Sequence, residues 1–264
     1  MLKGALHIHS TYSDGEFTLP GLRSVLSSAG CAFACMADHA ESFEEGKLKT
    51  YARECQSLSD ESFCFIPGLE FECEERMHIL GYGVVSLPNS HDPQEVIHYI
   101  KSQGGIAVIA HPTEKSFPKI ESFKVLPDGI EIWNSKYDGR YALRPATVQL
   151  LHRLQQRKPE MLAFFGQDLH WRRQYRGLLN LVQCRSTTRE EILTALAQGE
   201  FAAIKGNLNL PSTGEISEVL LRDFAVLHAR SSSLRKGLMR AKRLLDRLGL
   251  GVPAKVKAQV RRIF

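Results

Sequence analysis

Leu6-His7-Ile8-His9-Ser10-Thr11-Tyr12-Ser13-Asp14-Gly15 is the stretch from which the fold can be read. Side chains alternate along a strand with a period of two, so His7 and His9 are expected on one face, where both imidazoles can reach a single point. The Ser13-Asp14-Gly15 turn signal that follows leaves Asp14 able to face back toward the same mouth. Alone, the stretch reads either as a chelating pair or as a strand with two structural histidines and a polar turn.

Outward from it the chain alternates strand and helix. Gly4 to His9 reads as a strand, and Thr18 with Pro20 opens a helix whose apolar face is Leu22, Val25, Leu26 and Ala29, closed by Gly30. Ala32 to Ala37 is a strand ending in Asp38-His39, Lys47 to Leu58 a helix, and Phe63 to Phe71 a strand that carries Pro67-Gly68-Leu69-Glu70. A short charged turn, Cys73-Glu74-Glu75-Arg76, leads to a strand over Met77 to Val84, so Glu70 and His78 can face each other across a hairpin. Asp92-Pro93 caps a helix that stops at Gly104-Gly105, and the strand Ile106 to Ala110 ends in His111-Pro112. Gly129 to Trp133, a helix over Ala142 to Gln155, and Met161 to Phe165 ending in Gln167-Asp168-Leu169-His170 follow. Leu178 to Cys184 and a Thr188-capped helix to Gln198 complete the pattern. Such alternation predicts an α/β fold with a mostly parallel sheet. The polar residues gather at strand ends, where barrel enzymes carry their chemistry, which favours a barrel over an open sheet.

Composition sets the outer limits. With 264 residues, 43% hydrophobic and 24% charged, the chain has the make-up of a globular domain, and no apolar run approaches the roughly 18 residues of a membrane span. The His pair begins too near the first residue for a removable leader to precede it, so a cytoplasmic location is expected. Six cysteines without a Cys-x-x-Cys spacing read as reduced thiols, and only Cys73, close to Glu70, merits attention. Charge is uneven: Arg222 to Phe264 holds 12 Lys/Arg and 2 Asp/Glu, net +10, whereas residues 1–221 sum to −5.

Of ten histidines, His7, His9, His39, His78, His111 and His170 occupy the strand-end positions, accompanied by Asp14, Glu70 and Asp168. Unpaired imidazoles and carboxylates crowded into one mouth would require costly desolvation or would repel. Divalent metals resolve the conflict, and this donor set suits Zn, Mn or Fe. Nine ligands exceed the needs of one ion, so two or three are expected.

Six blocks in this order resemble the PHP (polymerase and histidinol phosphatase) superfamily: His7 to Gly15, Ala37-Asp38-His39, Gly68-Leu69-Glu70, His78-Ile79-Leu80-Gly81-Tyr82, Ala110-His111-Pro112 and Gln167-Asp168-Leu169-His170. The resemblance covers roughly residues 1–205. It implies a distorted (β/α)7 TIM-like barrel with a trinuclear metal centre and phosphoesterase activity; residues 206–264 beyond it are read, from their charge and apolar spacing, as a basic helical C-terminal tail. It also implies His7, His9, Glu70 and Asp168 on a first metal, Glu70 bridging to a second held by His78 and His111, and Asp14, His39 and His170 on a third. The expected chemistry is attack of a metal-bridged hydroxide on a phosphomonoester or nucleotide, with no covalent protein intermediate. Lys136, Arg140, Arg172 and Arg173, beyond strand ends, are candidate phosphate contacts. Asp38 is a candidate either to orient His39 or to brace a turn. Specificity is expected in the loops 41–46, 113–127 and 135–141.

Leu234, Leu238, Ala241, Leu245 and Leu248 step by 4, 3, 4 and 3 and mark one face of a helix in the tail. Three readings of that helix stand open: packing on the acidic barrel, binding nucleic acid or an anionic membrane surface, or partial disorder. For the whole protein, a nuclease acting on oligonucleotides and a non-catalytic metal-bearing interaction subunit remain as alternatives to a phosphoesterase of small substrates. The sequence does not reveal the oligomeric state.

Overall fold

The computed structural model describes residues 1–139 and 142–247. In chain order these form β1 (Leu2–Ile8), α1 (Leu19–Ser28), β2 (Phe33–Met36), β3 (Asp38–His39), α2 (Glu45–Ser57), β4 (Cys64–Ile66), β5 (Gly68–Glu72), β6 (His78–Tyr82), α3 (Pro93–Ser102), β7 (Ile106–Ile109), α4 (Phe117–Glu121), β8 (Gly129–Asn134), α5 (Pro145–Gln155), β9 (Leu162–Gly166), β10 (Leu179–Val182), α6 (Arg189–Ala197), β11 (Phe201–Lys205), β12 (Leu208–Pro211) and α7 (Glu218–Arg247). Helix starts follow the capping chemistry of the sequence. Thr18 accepts from the Gly21 amide with Pro20 in the first turn, Asp92 accepts from the amides of Gln94 and Glu95, and Thr188 from that of Glu191, each satisfying donors that the first helical turn leaves free. Leu19, Leu22 and Leu26 of α1 and Val96, Ile97 and Ile100 of α3 are buried against the sheets.

The strands make two six-stranded mixed sheets, ordered β12-β11-β10-β1-β2-β4 and β3-β5-β6-β7-β8-β9. Two strands expected to be continuous are broken instead. Ala32 to His39 becomes β2 and β3, and Phe63 to Phe71 becomes β4 and β5, with each pair of halves in different sheets. Ala37 and Pro67 sit at the two joints, and proline, lacking an N–H, cannot continue a ladder on both sides. Beyond Pro67 three backbones converge: a Cβ on Gly68 would lie 2.6 Å from the Met36 carbonyl oxygen and 2.7 Å from that of Gly81. Glycine is required there by space alone.

The sheets also meet at the end of β1. The Gln167 amide donates to the Leu6 carbonyl (2.9 Å), the Leu169 amide to that of His7 (3.2 Å), and the His9 amide to that of Leu169 (3.1 Å), so the segment after β9 runs parallel to the last residues of β1. The boundary expected after residue 205 falls inside a hairpin. Lys205 pairs with Leu208 across a turn in which Gly206 has φ +56°, so β12 extends the first sheet by one strand. Helix α7 then docks through Phe224, whose buried ring lies 6.0 Å from that of Trp133.

All six cysteines are free thiols. Cys73 is buried, its Sγ 3.6 Å from the Phe71 carbonyl oxygen, and burial pushes the thiol up to about 12, which makes it unreactive. No described helix is long and apolar enough to cross a membrane.

Replacing Gly68 by Ala forces a methyl between the Met36 and Gly81 carbonyls and is expected to destabilise the fold by about 1–3 kcal/mol, the usual range for overpacking. Urea unfolding should show a lower midpoint at unchanged slope, whereas an unchanged midpoint would mean that the crowding at this joint is relieved without cost.

Candidate metal centre

The strand architecture brings all nine candidate side chains into one cluster. His7 lies near the end of β1 and His9 just after it, His39 ends β3, Glu70 is central in β5, His78 opens β6, His111 follows β7, and Asp168 and His170 follow β9. Asp14 reaches in from the loop after β1. Ring centroids are 3.9 Å apart for His9 and His170, 4.8 Å for His9 and His39, and 5.2 Å for both His7 with His9 and His78 with His111.

Plain alternation does not produce the His7–His9 convergence. The register of β1 against β2 shifts between Ala5 and Ile8, and His7 has φ +60°. The strand therefore bulges at its functional end, a device that re-aims side chains. His111 (φ +28°) and Asp168 (φ +50°) also adopt left-handed backbone conformations, each costing on the order of 1–3 kcal/mol for a residue with a Cβ. Hydrogen bonds hold these residues in place: the Leu169 amide to the His7 carbonyl at 3.2 Å and the His111 amide to Glu131 Oε2 at 2.8 Å.

Glu70 is the hub. Its Oε2 lies 3.4 Å from both His7 Nε2 and His9 Nε2 and 3.5 Å from His39 Nδ1. Its Oε1 is 2.7 Å from His78 Nδ1 and 3.0 Å from His111 Nε2. The ladder places Glu72 opposite His78 and Glu70 opposite Leu80, so the His78–Glu70 contact is diagonal across the hairpin, within reach of long side chains. Asp168 Oδ1 lies 3.2 Å from His170 Nδ1, 3.8 Å from His9 Nε2 and 4.0 Å from His7 Nε2. At the rim, Asp14 is 3.2 Å from His170 Nε2 and 3.7 Å from both His9 Nδ1 and His39 Nε2. The donors fall into four overlapping groups able to hold a metal: His9, Asp14, His39 and His170; His7, His9 and Asp168; His7, Glu70 and His111; and His39, Glu70 and His78.

Electrostatics tests the fit of such ions. Burial works against charge on His7, but Glu131, Asp168 and Glu70 outweigh it and raise the imidazole well above its ordinary value. Burial, reinforced by His170 and His7, holds His9 well below it. Glu70 and Asp168 stay anionic despite burial because of the imidazoles around them, His7 foremost. Yet His7 Nε2 and both ring nitrogens of His9 are buried without a hydrogen-bond partner, and each such atom costs on the order of 1–3 kcal/mol. Unpartnered ring nitrogens beside two buried carboxylates are what divalent cations satisfy, and the imidazole and carboxylate set suits Zn, Mn or Fe.

Two supporting residues are absent from the sequence reading. Glu131 in β8 accepts from His7 Nδ1 at 2.8 Å through Oε1, and through Oε2 from the His111 amide (2.8 Å) and Asn134 Nδ2 (2.9 Å). It thus commits His7 Nδ1 as a donor and aims Nε2 at the centre. Gly166 makes room for it, since a Cβ there would fall 1.7 Å from Glu131 Oε1. Asn134 Nδ2 also donates to Asp168 Oδ2 at 3.1 Å, linking the two carboxylates. The available signal was a lone carboxylate within the apolar run Gly129-Ile-Glu-Ile-Trp133.

Asp38 takes the turn role. It accepts from the Ser10 amide at 2.8 Å, from Ser10 Oγ at 2.9 and 3.0 Å, and from Ser13 Oγ at 2.7 Å, which braces the loop that carries Asp14. Of the candidate phosphate contacts, Lys136 reaches the cluster: its Nζ lies 3.0 Å from Asp168 Oδ1 and 3.4 Å from His170 Nε2. Arg172 lies over the Phe17 ring and Arg173 over Trp171, both exposed on the rim. Arg140 lies outside the described residues.

No protein-family model matches the sequence, and no curated protein matches it. Solved structures do match. A two-domain protein from Bacteroides vulgatus containing a predicted PHP-like metal-dependent phosphoesterase aligns over 84% of this chain and 68% of its own, with TM-score 0.55 and 19% identity. PsfC from Pseudomonas syringae aligns over 88% of this chain and 98% of its own, with TM-score 0.51 and 13% identity. The chain therefore has a PHP-like α/β fold.

Two outcomes follow from this geometry. Glu131→Gln is expected to weaken metal binding about 10- to 100-fold, as loss of a ligand-orienting carboxylate does elsewhere, measured by competition with a chromogenic chelator. Wild-type affinity in a folded variant would remove Glu131 from the centre. Because its carboxylate neighbours raise the His7 imidazole well above its ordinary value and a ligating nitrogen must give up its proton, loading with Zn or Mn should release protons. Metal affinity should correspondingly rise with pH through the raised His7 value, and an indicator dye in weakly buffered solution reads this directly.

Proposed function

We propose that the chain is a member of the PHP superfamily and hydrolyses phosphoesters with divalent metal ions held by His7, His9, Asp14, His39, Glu70, His78, His111, Asp168 and His170. The observation that carries this reading is the set of orphaned imidazole nitrogens of His7 and His9 facing Glu70 and Asp168 in a buried cluster. The two sheets are read as halves of one distorted (β/α)7 barrel. In support, β3 and β5 prolong β2 and β4 into the second sheet, and the Ile8–Leu169 bridge returns the chain from β9 to β1.

His7, His9, Glu70 and Asp168 are assigned to one ion, Glu70, His78 and His111 to a second, and Asp14, His39 and His170 to a third. Support for the division comes from Glu70, whose two oxygens face different histidines, and from the proximity of Asp14, His39 and His170. When bound, such ions supply Lewis acidity toward a phosphoryl oxygen and the attacking water. The protein supplies the remaining parts. Lys136 Nζ, half-buried beside Asp168, offers a cation to a phosphate oxygen at the mouth. Glu131 and Asn134 keep His7, His111 and Asp168 in position, and Asp38 holds the Ser10 to Ser13 turn that presents Asp14.

The substrate is a small phosphomonoester or a nucleotide. Favouring a nucleotide, Tyr137 and Trp171 are among the few exposed large apolar side chains outside α7. Both stand beside the centre, with rings 4.5 Å from His111 and 5.5 Å from His170, and can offer faces to a planar base.

Hydrolysis of p-nitrophenyl phosphate with added Mn or Zn, abolished by chelator, is the expected result, with the bis ester turned over much more slowly. Faster cleavage of the bis ester would move the assignment to a phosphodiesterase or nuclease, and no turnover of either with a metal-loaded protein would leave an interaction subunit. His7→Ala or His9→Ala should lower metal content and abolish turnover in a folded protein. Full activity in either variant would overturn the ligand assignment.

A further inference from the structure

Nine large hydrophobic side chains are exposed among the described residues, and five of them belong to α7: Val219 (69%), Val226 (48%), Leu227 (42%), Met239 (52%) and Leu244 (60%). An isolated exposed leucine needs no explanation, but a concentration on one element does. Among the described residues of α7, Phe224 near its start is fully buried and Leu220, Leu221 and His228 are half-buried around it; past His228, Leu238 and Leu245 are the described side chains that are as much as half-buried. Four of the five exposed apolar residues are also ordered, Met239 falling on the opposite side of the helix. Val226 and Leu244 are 18 residues apart, five full turns, and so lie on one line along the helix. Leu227, Leu238, Ala241 and Leu245 step by 11, 3 and 4 and run beside that line. Arg240, Lys242, Arg243 and Arg247 are exposed around the rest of the circumference, and Arg230, also exposed, falls one turn past Val226 on the apolar side; all lie within the segment from residue 222 onward that carries net +10.

We propose that α7 lies on the surface of a lipid bilayer containing anionic lipids, with the Val226, Leu227, Ala241, Leu244 and Leu245 side in the acyl boundary and the flanking Arg and Lys at the headgroups. The charge of the segment selects this occupant. A second copy would bring two +10 segments together, and a nucleic acid would neutralise the basic side while leaving the apolar stripe in water. A bilayer surface with anionic headgroups satisfies both sides of the helix. The helix is too charged to span, so the mode is peripheral. The inference is independent of the chemistry at the metal centre.

The test is co-sedimentation of the full chain with vesicles of phosphatidylcholine alone and of phosphatidylcholine with phosphatidylglycerol. Binding to the anionic vesicles, weakened by high salt and weak on the neutral ones, is expected. Replacing both Arg240 and Arg243 by Ala should weaken it about thirtyfold, at about fivefold per basic residue, and Leu244→Asn at least about tenfold. Circular dichroism and turnover of p-nitrophenyl phosphate should be unchanged in these variants, separating loss of docking from loss of fold. Failure to sediment with anionic vesicles at low salt overturns the proposal. So does equal binding to both vesicle types, self-association in light scattering that Leu244→Asn dissolves, or salt-sensitive binding of duplex DNA without vesicle binding.

Discussion

One carboxylate organises the functional end of this protein. Glu70 is 1% exposed and its two oxygens lie within 3.5 Å of nitrogens from five imidazoles, those of His7, His9, His39, His78 and His111. A buried anion is tolerated only when paired and hydrogen-bonded, and here the pairing groups come from four different strands or strand ends. The joint at Pro67 and Gly68 is therefore more than a kink. It carries β5 into the second sheet, against β3 and β6, which is what puts His39 and His78 within reach of the same side chain.

Backbone strain is concentrated at the same end. His7, His111 and Asp168 all have positive φ, and strain at such positions persists only where surrounding structure over-determines it. Glu131 and Asn134 provide that surrounding structure. Glu131 accepts from the His7 ring and the His111 amide, Asn134 ties Glu131 to Asp168, and the missing side chain of Gly166 leaves the space in which Glu131 sits. The candidate ligand side chains are thus fixed by a buried polar network of the protein itself.

Much of this was legible in the residue order, for identifiable reasons. The candidate ligands sit at strand ends bounded by turn signals, and apolar runs with caps mark those ends clearly, which is why His9, His39, His111, Asp168 and His170 could be placed together before any coordinates. What the pattern could not carry was non-local. Alternation predicted that His7 and His9 share a side, but the bulge that achieves it depends on a hydrogen bond to Leu169, more than 150 residues away. Continuous burial likewise hides the sheet switches at Ala37 and Pro67, since buried residues run unbroken from Phe33 through Asp38 and from Phe63 through Phe71. Glu131 escaped because one acidic residue in an apolar strand has no spacing partner to announce it, and Asp38 could not be assigned between two roles until the loop at Ser10 and Ser13 was seen to fold onto it.

The same contacts set the conditions for metal uptake. His78 Nδ1 and His111 Nε2 lie 2.7 and 3.0 Å from Glu70 Oε1, and the Lys136 ammonium rests on Asp168 at 3.0 Å. His9 has both ring nitrogens unpartnered and His7 its Nε2, and the His9 imidazole stands between the Glu70 and Asp14 sides of the cluster. Occupancy therefore gains most where His9 contributes.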